Sequence, residues 1–143
     1  MAELTRQEVI KLVAAAHKRP IRLRGVDLSG LDLSCLDLSF VDFSHTNLRE
    51  ADLSQANLYH SAFFSADLTE ANLSEASLHN ADLIGANLTS ANLGRAYLEQ
   101  AVFFDAILHG ANLAQVRFKG ARFDGARADK ATVWPDNFKE ANH

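Results

Sequence analysis

Asp and Asn recur at every fifth position through the middle of the chain, and they are the residues with the most evident chemical potential. Between Asp27 and Asn112, thirteen of eighteen such positions hold one or the other. Regularly spaced carboxylates could bind metal ions or transfer protons. The same side chains also build turns by hydrogen bonding to nearby backbone groups. We therefore expect a structural role for this array and no metal site within it.

Two histidines form the second candidate for chemistry. If four five-residue units close one coil of the chain, His60 and His79 fall on neighbouring coils of one face, with Tyr59 and Glu99 nearby. Two imidazoles and a carboxylate can hold zinc or copper, but a row of solvated polar side chains has the same pattern. The sequence has no nucleophile elbow, phosphate-binding loop, HExxH segment or paired-cysteine site. We expect no catalytic residue, no metal and no cofactor, and hence no enzyme.

A second five-residue pattern determines the elements that carry these side chains. From Leu23 to Phe123 every fifth residue is Leu or Phe, at all twenty-one positions. Ala stands two residues earlier at fifteen of the seventeen positions from Ala51 to Ala131. A five-residue step does not keep side chains on one face of an α-helix. It fits a short extended segment with two inward residues, followed by a turn, and predicts a coil of stacked units.

The spacing of the phenylalanines indicates how many units close one coil, because large interior side chains stack best on one another. Several of them lie four units apart, as Phe43 and Phe63 do, which favours four units per coil. The interior ladder would then contain Phe43, Phe63, Leu83, Phe103 and Phe123. Others lie three units apart, as Phe103 and Phe118 do, so three units per coil stay open.

Blocks such as ADLSQANLYH, ADLTEANLSE and ADLIGANLTS resemble the pentapeptide repeat proteins, whose consensus is A(D/N)LXX. The match covers roughly residues 21 to 130. The resemblance implies a bacterial member of cyanobacterial type. It also implies an all-β solenoid, a right-handed quadrilateral β-helix of about five coils with a capping α-helix at its N-terminal end. The handedness rests on the resemblance alone.

The N-terminal end of such a β-helix needs a cap, because it exposes apolar side chains and unpaired backbone groups. Residues 1–20 are predicted to supply it as a helix that begins with a capping box of Thr5 and Glu8 and ends before Pro20. Its apolar face, expected to lie across the first coil, comprises Val9, Ile10, Leu12, Val13 and Ala16. The small interior positions of that coil are enlarged to meet it, as Ile21, Val26, Leu31, Leu36 and Val41.

The repeat deteriorates at the other end of the predicted β-helix, which spans residues 21–130. Ala128 and Val133 stand where Leu or Phe is expected, and Trp134 and Pro135 break the pattern. We predict that residues 131–143 form a second cap. The WPDNF segment there is similar to the ending of several pentapeptide repeat proteins.

The net charge of −4 conceals an acidic band. Residues 25–105 hold twelve acids against two arginines, a balance of −10, between termini of +4 and +2. The band should repel nucleic acids and membrane surfaces, and it either keeps the β-helix solvated or attracts basic partners. The resemblance adds an alternative function, since some family members are acidic dimers that mimic DNA and bind the type II topoisomerase gyrase. This chain is shorter than those dimers, and its C-terminal part is net basic.

An apolar surface patch is the most unusual outward feature. On the face of the Phe43 ladder and at the next corner, expected polar positions hold Ala62, Phe64, Ile84, Val102, Phe104 and Ile107. Exposed apolar patches mark protein contact sites, although paired phenylalanines could instead bury one another against the wall. We predict a non-enzymatic structural or protein-interaction module that binds another protein through this patch and is a monomer or weak homodimer.

The predicted location is the cytoplasm. Cys35 is the only cysteine, so an intrachain disulfide is impossible and a reducing compartment is the natural setting. The first twenty residues carry charges within their apolar stretch and lack a small-residue cleavage signature. No apolar run approaches the length of a membrane span.

Overall fold

The computed structural model describes residues 2–16 and 19–141 as two helices with a β-helix between them. Helix α1 spans Arg6–Ala15 and helix α2 spans Phe138–Ala141. Between them, single parallel β-bridges join each unit to the fourth unit after it, from Arg22 with Asp42 to Ile107 with Arg127. Four five-residue units therefore close one coil. The interpretation favoured by the phenylalanine spacing is confirmed, and the three-unit alternative is excluded.

The β-helix has four faces, each a column of units stacked from coil to coil. We number the faces 1 to 4 by the first interior Leu on each, namely Leu23, Leu28, Leu33 and Leu38. We call the five residues of a unit, in order, the small, bridge, centre, first-turn and second-turn residues. In one unit of face 3 these are Ala51, Asp52, Leu53, Ser54 and Gln55.

Small and centre residues fill the interior. Every centre residue from Leu28 to Leu113 is completely buried. On face 1, the rings of Phe43 and Phe63 stack with centroids 5.1 Å apart, and those of Phe103 and Phe123 stack at 4.8 Å. The predicted interior ladder of face 1 is therefore confirmed.

Backbone hydrogen bonds join each coil to the next, and two of them per unit lie in the extended segment. The N–H of centre residue Leu48 donates to the carbonyl of bridge residue Asp67 at 2.7 Å. The N–H of Asp67 donates in turn to the carbonyl of small residue Thr46 at 3.0 Å. Because this pair recurs along all four faces, the extended segments satisfy their backbone polar groups between coils rather than within long strands.

The corners are tight turns in which the second-turn residue has a positive φ. All twenty-one of these residues from Gly25 to Gly125 do so, and fifteen of them are not glycine. The turn closes through bonds such as that from the Ala51 N–H to the Leu48 carbonyl, at 3.1 Å. A positive φ at the third residue is what a type II turn requires. Neighbouring coils hold each corner in this conformation.

Bridge-position Asp and Asn stabilise the corners and the stacking of coils. The Asp52 carboxylate accepts the Ser54 N–H at 2.9 Å and the side-chain amide of Asn72 at 3.3 Å. Further down face 3, the Asn112 amide donates to the Asn92 side-chain oxygen at 3.2 Å. The array thus has the structural role expected from the sequence.

These turn carboxylates make the stability depend on pH. Hydrogen bonds from Ser34 hold the pKa of Asp32 below its ordinary 3.8, and the Gly110 N–H does the same for the pKa of Asp129. Their stabilisation is present above the unfolded pKa and is lost as the pH falls through the lower folded pKa. We expect constant thermal midpoints from about pH 7 to 5 and falling midpoints below about pH 4. Circular dichroism melts measure this, and midpoints that stay level down to about pH 2 would contradict it.

Helix α1 covers the first coil, and its predicted capping box is present. The Thr5 hydroxyl accepts the Glu8 N–H at 3.2 Å, and the Glu8 carboxylate accepts the Thr5 N–H at 2.6 Å. Val9 is completely buried, and Val13 packs beside it. Leu12 is 42% exposed, so its assignment to the face against the coil was wrong. Leu12 lies on the flank of α1, because Val9 and Val13 mark the side of the helix that faces the coil.

Arg6 supplies the hydrogen bonds that a further coil would make to the top of face 3. Its guanidinium donates to the backbone carbonyls of Asp32 at 2.8 Å and Ser34 at 3.0 Å. In the next coil, the equivalent carbonyls accept backbone N–H groups from the coil above. One side chain therefore satisfies two carbonyls that the edge would leave unpaired.

We expect Arg6→Ala to lower the free energy of unfolding by about 1 to 2 kcal/mol, because it removes both bonds to the carbonyls. Urea denaturation followed by circular dichroism measures the change. Lys11→Ala, an exposed position on the same helix, is the matched control and should have little effect. Equal losses for the two variants would mean that Arg6 acts only through helix propensity or charge.

One extra residue shifts the register at the lower end. The last bridge joins Asn112 to Val133, a separation one residue longer than that of every other bridged pair. Val133 therefore takes a bridge position, 48% exposed, and the prediction that it is a centre residue was wrong. Trp134 follows at the centre position instead. Asp129 forms the wider turn that absorbs the extra residue, with its carboxylate accepting the Gly110 N–H at 3.0 Å.

An aromatic cluster closes the bottom of the β-helix. Trp134 stacks on Phe138, the first residue of α2, with ring centroids 4.0 Å apart. Phe123, the last ring of the face 1 ladder, meets both of them edge-on at 5.5 Å. The cluster covers the apolar side chains that the final coil would otherwise expose.

Candidate interaction surface

The six apolar residues singled out in the sequence lie on one continuous surface. Phe64, Ile84 and Phe104 are first-turn residues of three successive coils on face 1. Beside them lie the bridge residues Ala62 and Val102, and across the corner lies Ile107 of face 2. Phe64 is 44% exposed, and the other five are partly exposed. We call these six residues the interaction patch.

The paired phenylalanines of face 1 point in opposite directions. Phe63 and Phe103 are completely buried, whereas their neighbours Phe64 and Phe104 lie outside the wall. The His45 ring, from the coil above, meets the Phe64 ring edge-on at 5.5 Å, and Phe64 still remains 44% exposed. Each pair therefore contributes one side chain to the interior and one to the surface.

Charged residues frame the interaction patch above and below. Above it, Arg24 Nε lies 3.8 Å from Asp42 Oδ2, and below it, Arg122 Nε lies 3.5 Å from Asp124 Oδ2. The Arg122 guanidinium also lies over the Phe104 ring, 4.4 Å from its centroid. Ion pairs this exposed contribute little to stability. Their charges are accessible to a binding partner.

One charged bridge residue interrupts the interaction patch. Asp82 lies in the same column as Ala62 and Val102, one coil from each. Its Oδ1 accepts the Ile84 N–H at 2.9 Å, the same turn contact that Asp52 makes on face 3. Any surface that covers the interaction patch must therefore approach this carboxylate.

The two histidines of face 4 have different neighbours. His60 stacks on Phe40 with ring centroids 5.4 Å apart and meets Tyr59 edge-on at 4.4 Å. One coil down, His79 Nε2 lies 3.1 Å from Glu99 Oε2. Across residues 2–16 and 19–141, no group of three or more His, Cys, Asp or Glu side chains could hold a metal ion. The arrangement is a row of aromatic and polar side chains.

Phe40 is an exposed residue that sequence reasoning missed. It is 53% exposed at a second-turn position of face 4 and borders a groove of about 540 Å³ beside α1. Val13, Pro20 and Ile21 also line this groove. A signal was available, since the following second-turn residues of face 4 are all polar or Gly. Phe40 is the single apolar residue in that column, and this break in the polar pattern is the signal that marks it.

The acids of the central band are spread around the β-helix. Of the twelve between Asp27 and Asp105, three lie on face 1, four on face 2, three on face 3 and two on face 4. Several hold their corner through backbone N–H groups, as Asp52 does. The band is therefore a ring of negative charge and forms no stripe along one face.

Among the described residues, neither helix is long and apolar enough to cross a membrane. The longer of the two, α1, has ten residues. A span of the hydrocarbon core takes roughly twice that length.

Comparison with known proteins identifies the repeat. The family model for pentapeptide repeats matches in eight copies, over residues 21–58, 66–105, 81–120 and 96–133. A crystal structure of a pentapeptide repeat protein from the cyanobacterium Cyanothece 51142 is 32% identical, with 88% of this chain and 99% of that chain covered and a TM-score of 0.81. A second, from Nostoc PCC 7120, is 28% identical, with 91% and 87% covered and a TM-score of 0.42.

A more distant match is QnrB1, a plasmid-mediated fluoroquinolone resistance protein. It is 19% identical, with 78% of this chain and 83% of that chain covered and a TM-score of 0.29. No curated protein matches the chain. The family model covers well over half of the residues, and the Cyanothece structure superposes along nearly its whole length. The chain is a right-handed quadrilateral β-helix and belongs to the pentapeptide repeat family.

Proposed function

We propose that this protein is a non-enzymatic interaction module that binds another protein through the interaction patch on face 1. The observation that carries the proposal is the exposed column of Phe64, Ile84 and Phe104, at positions that are polar on the same corner above and below. Apolar side chains grouped on a surface lose contact with water when a partner covers them. Aromatic residues in such groups commonly dominate the binding energy.

The rest of the molecule supports a binding role over catalysis. The interior is packed with centre and small residues, from which no polar groups converge on a sheltered cavity in the described coils. The bridge-position carboxylates are occupied with turns, as at Asp52. Stacked coils joined by regular hydrogen bonds hold the interaction patch in a fixed shape, which reduces the entropy lost on binding.

We expect the double variant Phe64→Asp with Phe104→Asp to lose partner binding by about 100-fold or more while it stays folded. Two carboxylates at the centre of a contact are costly to desolvate, whereas on the free surface they remain hydrated. The matched control is Ser74→Asp with Ala114→Asp. These are also first-turn residues two coils apart, but they lie on face 3.

The binding experiment uses tagged protein in the cells that naturally express it. A partner that co-purifies in stoichiometric amount with the wild type and the face 3 control, and not with the face 1 variant, supports the proposal. Titration calorimetry with the purified partner then gives the change in affinity. A partner that the face 1 variant retains would place the binding surface elsewhere.

The acidic band provides a second candidate, a DNA mimic that binds gyrase. Its support is the balance of −10 over residues 25–105. The distribution of these acids over all four faces does not favour it, because a duplex presents its phosphates along two defined strands. A supercoiling assay with purified gyrase separates the two candidates, since only the DNA mimic should inhibit. For the cell compartment we propose the cytoplasm, in keeping with the exposed free thiol of Cys35.

A further inference from the structure

Resting on the proposed role of the interaction patch, we propose that its partner is a second copy of this chain. The two copies pack antiparallel, face 1 against face 1. A two-fold axis in the interface, perpendicular to the β-helix axis, passes at the height of Ile84. Two features of face 1 support this dimer, namely the vertical order of its apolar residues and the order of the charges around them.

The apolar residues match themselves under this rotation. Phe64 lies one coil above Ile84 and Phe104 lies one coil below it. The rotation therefore places Phe64 of each copy opposite Phe104 of the other, and Ile84 opposite its own counterpart. In the bridge column it places Ala62 opposite Val102. Every exposed apolar side chain of face 1 then meets an apolar side chain.

The flanking charges are complementary under the same rotation. The bridge column carries Asp42 two coils above the axis and Arg122 two coils below it. Each Asp42 therefore faces Arg122 of the other copy, twice in the dimer. In the first-turn column, Ser44 lies opposite Asp124 but is almost completely buried in the wall, so the complementarity rests on Asp42 and Arg122. Opposite charges that meet at an interface favour its formation and fix its register.

A parallel dimer fits these residues less well. It would set the bridge column of one copy against the first-turn column of the other at equal heights. Ile84 would then cover the carboxylate of Asp82, and Arg22 would face Arg24 at the top. A carboxylate covered by an apolar side chain and a pair of facing arginines both oppose association. The antiparallel arrangement avoids both contacts.

One contact opposes the antiparallel dimer, and it provides a sharp test. Asp82 lies at the height of the axis and faces its own counterpart, so two carboxylates meet. The contact surface is also small, since the five coils from Asp42 to Arg122 span only about 20 Å. The dimer is therefore weak, and neutralising Asp82 strengthens it.

Sedimentation velocity over a wide range of concentrations tests the role of Asp82. We expect Asp82→Asn to tighten the dimer by about tenfold or more. The matched control is Asp52→Asn, which alters the same turn contact on face 3 and should leave association unchanged. Phe64→Asp with Phe104→Asp should be monomeric throughout. The proposal would be overturned if Asp82→Asn did not strengthen association, or if Asp52→Asn strengthened it equally.

A charge exchange tests the antiparallel register. Asp42→Arg and Arg122→Asp should each weaken self-association, because like charges then meet twice. An equimolar mixture of these two variants should restore it, since every facing pair in the mixed dimer has opposite signs. A mixture as weak as its components would overturn the register, and thermal melts verify that each variant is folded.

The outcomes for the two proposals are distinguishable. If the wild type and Asp82→Asn both stay monomeric at the highest concentrations, the proposed self-association is overturned. The proposed function then depends only on whether a different protein co-purifies with the wild type and is lost with the face 1 variant. Failure of both tests removes any binding role from the interaction patch.

Discussion

Replacing Leu73 with Ala is expected to lower the free energy of unfolding by about 2 to 5 kcal/mol. Leu73 is a centre residue in the middle of face 3 and is completely buried. The walls around it are fixed by hydrogen bonds between coils, such as the 2.7 Å bond from its own N–H to the Asn92 carbonyl. The wall therefore cannot collapse to fill the cavity, and the cost should lie towards the upper part of this range.

Urea denaturation of both proteins, followed by circular dichroism, measures this loss. The control is Gln55→Ala, at an exposed second-turn position of the same face, which should change the unfolding free energy by less than about 0.5 kcal/mol. Similar losses at the two positions would contradict the assignment of centre residues to the interior. A loss at Leu73 well below the expected range would mean that the wall is softer than its hydrogen bonding implies.

The sequence was sufficient to predict the β-helix because each unit repeats the same physical requirement. Every unit needs one large and one small inward residue, so a single misread unit is corrected by its neighbours. The number of units per coil needed a second signal, which came from the phenylalanines of face 1. Phe43 must stack on something of its own size, and Phe63 is the residue that meets this need.

The register shift near the lower end could not be predicted from the repeat. Ala131 keeps the five-residue phase of the small residues, although the structure places Thr132 in that role, where its hydroxyl donates to the Leu108 carbonyl at 2.8 Å. Ala131 and Thr132 are both small enough for the small-residue position, so the repeat alone does not show which of them occupies it. Only the wider turn at Asp129 reveals the extra residue, and such a turn depends on contacts with the preceding coil.

The surface was harder to predict than the interior for the same physical reason. Outward positions have no common packing requirement, so their residue types vary and carry weak signals. The positive φ at second-turn residues illustrates this, because Gln55 and Glu70 adopt it in the same way as Gly30. Stacking between coils imposes the conformation, and the residue type at that position does not reveal it.

The interaction patch could be located in the sequence because it breaks an otherwise polar pattern at the same repeat position in successive coils. What the sequence could not supply was the vertical order of the surrounding charges. Asp42 and Arg122 are far apart in the chain, and only the stacked coils show that they are equidistant from Ile84 in one column. In a solenoid, the spacing of two residues in the sequence determines how many coils separate them. The heights of the charges on face 1, and hence their complementarity in a dimer, follow from that spacing.

The largest local effect is expected at the lower cap. Trp134→Ala should destabilise the final coil by about 2 to 4 kcal/mol, because it removes the stacking on Phe138 and the edge-on contact with Phe123. Each coil of a solenoid is stabilised mainly by its neighbours, so the damage should stay near that end. The middle coils should keep their stability.

Hydrogen exchange of the wild type and Trp134→Ala measures this localisation. The Leu113 N–H, bonded at 2.7 Å to the Val133 carbonyl, should lose protection, while the Leu48 N–H, bonded at 2.7 Å to the Asp67 carbonyl, should keep it. Val133→Ala is the control, since it truncates an exposed neighbour and spares the aromatic cluster. Uniform loss of protection would show that the β-helix unfolds as one unit and that its ends are coupled through every coil. Because a frayed final coil would expose the rings of Phe118 and Phe123, concentration-dependent aggregation should accompany the local loss and be absent from the control.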